Sequence, residues 1–170
     1  HTPVYNGVSY VQRTEDFGSY TICNLAQVTS DIDVPKGFTN LTYSIVSFDA
    51  TKLAAEIDEE TNLVINSVQD AFGLSTLRVR IDDNDSYTTP LHVIQNITVD
   101  ITPVNDLPYF VDLPETVYIA ANGFIFLNLD NNFVDVDDPN PVMNISSPEG
   151  FVVVSRIPGY NYRFKVEAQD

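Results

Sequence analysis

The chain has 170 residues, of which 44% are hydrophobic, with ten Pro, seven Gly, nine Tyr, ten Phe and no Trp, enough apolar material for a sizeable core in one domain or two. Twenty-four acidic residues against eight basic ones give a formal net charge of −16, a field that repels nucleic-acid phosphates and anionic lipid and so argues against both as partners. No apolar stretch reaches the length of a membrane-spanning helix, and the chain begins at His1 rather than Met, as a processed or excised segment would.

β-Branched and aromatic residues throughout, frequent turn formers and few helical runs predict short strands and little helix. In chain order the first part of the sequence predicts strands at 8–13, 20–25, 41–47, 63–66, 76–81 and 93–101. Turns are marked by Asp16-Phe-Gly18, Pro35-Lys-Gly37 and Ala71-Phe-Gly73. This number and spacing suit an antiparallel Greek-key sandwich. Cys23, the only cysteine, sits among strand residues Tyr20, Ile22 and Leu25. It reads as a buried, inert thiol, since a bridge to a second copy would need it exposed.

Self-similarity organises the rest. Asp31-Ile-Asp33-Val-Pro35 followed by Asn40-Leu-Thr matches Asp135-Val-Asp137-Asp-Pro139 followed by Asn144-Ile-Ser, each Asn lying nine residues after the first Asp. Leu77-Arg-Val-Arg-Ile-Asp82-Asp83 matches the alternating stretch from Arg163 to Asp170. Between the copies, an alternating strand from Asn96 runs into Val104-Asn105-Asp106-Leu-Pro108, which places a boundary near Asn105 and predicts repeats at 1–104 and 105–170. The first unit continues about twenty residues past Asp83, whereas the second stops at Asp170, so the second repeat is expected to lack its last strand. Four Asn-X-Ser/Thr triplets, at Asn40, Asn84, Asn96 and Asn144, point to a glycosylated extracellular chain, Asn84 being the least secure because it lies in a run of aspartates.

Glu15-Asp16-x-Gly18, Asp31-x-Asp33, the strand ending at Asp83 and Val104-Asn105-Asp106-x-Pro108-Tyr-Phe110 resemble cadherin-like tandem repeats. The nearest kind is the divergent cadherin-like and dystroglycan-type repeat of microbial and algal surface proteins. The resemblance implies two tandem Ig-like or cadherin-like sandwiches, with Ca²⁺ held between successive repeats. Carried over residue by residue, it implies ligands at Glu15, Asn105, Asp106, Asp135, Asp137 and Asp170, a carboxylate-rich oxygen set suited to an ion that takes six to eight oxygens. Asp31, Asp33 and Asp83 would form half of a second site. The sequence departs from the pattern where Asp70-Ala-Phe72 replaces the usual Asp-x-Glu. Asp16, Asp58, Glu59 and Glu60 read as solvated turns.

Enzymatic readings find little support. His1 and His92 are the only histidines, and no nucleophile motif, phosphate-binding glycine loop or zinc spacing accompanies them. The expected function is that of an extracellular, cell-surface adhesion or structural module. A sandwich short of one strand exposes backbone and core, so the leading reading is a fibre subunit whose copies join head to tail by strand complementation. The alternatives are a calcium-rigidified fragment of a long multi-repeat adhesin, or a carbohydrate-binding module that reads surface glycans through Tyr109, Tyr118, Tyr160 and Tyr162.

Overall fold

The structure, a computed structural model, describes residues 1–37, 40–84, 89–147 and 149–169. The chain divides into two compact units, His1–Val104 and Asn105–Asp170. In unit 1 the strands are β1 (Val4–Tyr5), β2 (Tyr10–Thr14), β3 (Ser19–Asn24), β4 (Thr29–Ser30), β5 (Thr42–Ser47), β6 (Leu53–Ile57), β7 (Asn62–Ser67), β8 (Gly73–Asp82) and β9 (His92–Thr102). They form a four-stranded sheet ordered β2-β9-β8-β5, a three-stranded sheet ordered β3-β7-β6, and a β1-β4 pair. β2 runs parallel to β9, and the other pairings are antiparallel.

Period-two alternation builds the core between these sheets. On β8 the side chains of Ser75, Leu77, Val79 and Ile81 point inward, as do Ile97, Val99 and Ile101 on β9, all at 3% exposure or less. Leu53 of β6 and Leu63 and Ile65 of β7 meet them from the facing sheet at 0%. All six predicted strands are present. β6 escapes the sequence reading because Leu53-Ala-Ala-Glu-Ile57 carries helix-forming residues, and only its pairing with β7 makes it a strand. Leu25, expected to end a strand, instead opens a one-turn helix, α1 (Leu25–Val28), where the Asn24 side chain accepts from the Gln27 amide. Between β2 and β3 the chain turns through Asp16 at φ 54° and Gly18 at φ 69°, left-handed values that Asp tolerates and Gly adopts freely.

Unit 2 contains β10 (Tyr109–Phe110), β11 (Phe124–Asn128), β12 (Phe133–Val134), β13 (Val152–Arg156) and β14 (Arg163–Ala168). Its sheets are ordered β10-β12 and β11-β14-β13, which repeats the β1-β4 and β3-β7-β6 arrangement of unit 1. β14 therefore holds the central position of β7. The sequence match of its residues to Leu77–Asp83, which lie on β8, is corrected accordingly: both stretches alternate, and alternation does not distinguish the central strand of one sheet from that of the other.

The deficit in unit 2 is also larger than one strand. Among the described residues it has no counterpart of the β2-β9-β8-β5 layer. Among the described residues it has three buried apolar residues, Leu129, Met143 and Phe164, against eleven in unit 1. The inner face of β11-β14-β13 is left as an apolar groove of about 420 Å³, walled by Val117, Ile119, Ile125, Val152, Val154 and Val166.

One strand tests the layer assignment. Leu77→Ala, on the inner side of β8, is expected to cost about 2–5 kcal/mol, whereas Leu74→Ala, three residues earlier and 62% exposed, is expected to cost less than about 1 kcal/mol. Urea unfolding of the two variants checks both values.

Candidate cation site

In unit 1, Asp31, Asp33 and Asp83 come from two loops at strand ends. Asp31 follows β4, and its Oδ1 accepts the Asp33 amide at 2.8 Å, a local side-chain turn that precedes the 3₁₀ turn Val34–Lys36. Asp31 is only 7% exposed, and its Oδ2 is buried with no hydrogen-bond partner among the described residues. Asp83 follows β8 at 1% exposure; its Oδ1 accepts the Leu91 amide at 2.8 Å, and its own amide donates to the Leu91 carbonyl at 3.1 Å. Asp33 Oδ2 accepts from the His1 amino group at 2.9 Å and meets His1 Nδ1 at 2.8 Å. The pKa of that amino group is raised, first by its hydrogen bond to Asp33 and then by the charges of Asp33, Asp31 and Asp83.

Unit 2 builds the same turn. Asp135 Oδ1 accepts the amides of Asp137 and Asp138, both at 3.0 Å, and Asp137 Oδ2 accepts the Asp106 amide at 2.6 Å. Asp106 therefore stands to Asp137 as His1 stands to Asp33, and Asp106-Leu-Pro108 before β10 corresponds to His1-Thr-Pro3 before β1. The sequence reading missed this equivalence, although the shared proline two residues on was its visible signal. Asn105 turns its side-chain amide onto the Asp106 carbonyl at 2.9 Å. Asp170 lies outside the described residues.

Glu15 follows β2 in unit 1 at 5% exposure. Its amide donates to the Thr102 carbonyl at 2.9 Å, its Oε1 accepts the Val104 amide at 2.5 Å, and its Oε2 is buried with no hydrogen-bond partner among the described residues. The expected solvated turns are tied down locally: Asp16 Oδ1 accepts the Asp70 amide, and Asp58 accepts the amides of Glu60 and Asn62 and the Asn62 side chain. Those bonds, the Asn62 side chain foremost, hold the Asp58 carboxyl below its ordinary pKa, and Arg80 does the same for Asp82.

The glycosylation candidates Asn40, Asn84, Asn96 and Asn144 are all exposed, although residues 85 and 86 of the Asn84 triplet lie outside the described residues. Tyr109, Tyr118 and Tyr160 are 50%, 87% and 47% exposed. Tyr162 is committed to packing: it donates to the Pro141 carbonyl at 2.8 Å and stacks edge-on against Phe133. His92 is exposed on β9. Cys23 is half-buried beside the Tyr5 hydroxyl, and burial raises its thiol pKa.

No family model and no curated protein matches this sequence. Solved structures do match. Mouse cadherin-23 EC22-24 is 20% identical at a TM-score of 0.51, with 99% of this chain and 55% of that one covered. The protocadherin gamma B7 extracellular cadherin domains 1-4 are 16% identical at a TM-score of 0.51, covering 99% and 41%. An endo-fucoidan hydrolase of glycoside hydrolase family 107 is 14% identical at a TM-score of 0.47, covering 99% and 24%. The chain thus spans from a quarter to just over half of these proteins. Together with the sheet order, the two cadherin likenesses define an all-β protein of cadherin-like sandwich fold.

Two outcomes follow from the local chemistry. Asp58 has a depressed folded pKa, so its contribution to stability is present above the unfolded value of about 3.9 and is lost as pH falls through the folded value. Asp58→Asn should therefore flatten the acid limb of a plot of urea midpoint against pH. Cys23 should react with a disulfide reagent far more slowly than a free thiol at mildly alkaline pH and should recover the free rate in denaturant.

Proposed function

We propose that this chain is an extracellular adhesion or spacer module of the divergent cadherin-like kind, whose paired aspartate turns take up Ca²⁺. The observation that carries the reading is the turn itself, built twice: Asp31 Oδ1 accepts the Asp33 amide in one unit and Asp135 Oδ1 accepts the Asp137 amide in the other. Asp31 presents a buried oxygen without a hydrogen-bond donor, the environment in which a hard, oxygen-seeking cation compensates desolvated charge. Glu15, with its own buried oxygen, supplies a further carboxylate in unit 1. Such a module is mechanical rather than catalytic, and its exposed asparagines suit a glycosylated surface protein.

Further copies of the chain, joined head to tail, are the proposed partners. The apolar groove of unit 2 supports association by completion of a β-layer.

Thermal unfolding with and without calcium tests the cation reading. A ligand bound only by the folded state raises its stability with concentration, so calcium should raise the melting temperature. Asp31→Asn should remove much of that increment while leaving the cation-free protein as stable as before or more so. A melting temperature indifferent to calcium into the millimolar range would refute the reading. Sedimentation velocity of the same samples tests self-association, with monomer at all concentrations counting against it.

A further inference from the structure

A second feature of unit 1 lies apart from the carboxylate turns. Val11 and Arg13 of β2 and Glu15 just after it share the inward-facing phase, with Val11 and Glu15 at 8% and 5% exposure. Arg13 is thus aimed at the seam where the edge strand of one sheet, β2, passes over to the edge strand of the other, β3. Its guanidinium carbon lies 3.4 Å from the centroid of the Tyr20 ring on β3, a cation–π contact that fixes the plane of the fork. Among the described residues its Nε is buried with no hydrogen-bond partner and no carboxylate is ion-paired with it. A buried N–H without an acceptor is unfavourable.

The space in front of it is a cavity of about 630 Å³ lined by Gln12, Arg13, Thr14, Phe17, Ser19 and Tyr20, with Thr102. That volume exceeds the needs of a simple ion and falls in the range of small-molecule sites. The guanidinium offers paired donors to an oxyanion. The hydroxyls of Thr14 and Ser19 can exchange hydrogen bonds with sugar hydroxyls, and Phe17 provides an apolar wall for a sugar ring. The protein's own field opposes the approach of a long polyanion, so the ligand is short. We propose that this cleft binds a monosaccharide-sized acidic sugar whose carboxylate or sulfate ester is held by Arg13.

The test is a set of ¹H–¹⁵N chemical-shift titrations of the full chain with glucuronate, glucose 6-sulfate, glucose and acetate. Saturable shifts on β2 and β3 with glucuronate or the sulfate ester, and not with glucose, are expected; whichever acidic sugar binds more tightly identifies the oxyanion. Arg13→Lys keeps the charge but loses the fork and should weaken binding by at least about tenfold. Ser19→Val, at an exposed position on the pocket wall, gives a second reading should the Arg13 variant fail to fold, and should also weaken binding. Absence of shifts, equal binding of glucose, acetate binding as tightly as either acidic sugar, or insensitivity to both substitutions would overturn the proposal.

Discussion

An apolar sheet face is stable only when a second layer covers it, and that constraint governs everything else in this molecule. In unit 1 it is met. The inner residues of β8 and β9 close on Leu53, Leu63 and Ile65 at essentially zero exposure, and the strand ends that result are rigid mounts for the loops carrying Glu15, Asp31 and Asp83. In unit 2 the same three-stranded sheet is present without its facing layer among the described residues. Its core is correspondingly small, and Ile125, Val152, Val154 and Val166 on its inner face line an open groove.

Packing of this kind also explains how carboxylates come to be buried. Asp83 sits directly after the core-forming end of β8 and is held by both its backbone and its side chain to Leu91. Asp31 is carried inward by the end of β4 and fixed by the amide of Asp33. Asp31 Oδ2 is buried with no hydrogen-bond partner among the described residues. Taking such a carboxylate out of water is unfavourable unless positive charge is brought to it. The repetition of the turn in Asp135 and Asp137, with the Asp106 amide in the place of the His1 amino group, makes the arrangement a property of the repeat rather than of one loop.

Much of this was legible in the sequence, for identifiable reasons. The β class followed from alternation and turn residues, and the strands with strong alternation, such as Thr76 to Ile81, emerged where expected. The pairing of Asp31 with Asp33 and of Asp135 with Asp137 was visible as a repeated motif, because a side chain bonding two residues along the chain is local chemistry. What depended on partners was not legible. β6 has a helical composition and becomes a strand only beside β7, and β14 alternates like β8 but occupies the place of β7. The inward aim of Arg13 was hidden because a charged residue in an alternating strand reads as solvent-facing until its neighbours Val11 and Glu15 are seen to be buried.

Isothermal titration calorimetry with calcium measures the cation role of the twin aspartate turns directly. Saturable binding to the unmodified chain, reduced in stoichiometry by Asp33→Asn or by Asp137→Asn and abolished when both are combined, is the predicted result. Absence of saturable binding, or binding indifferent to both substitutions, would contradict it.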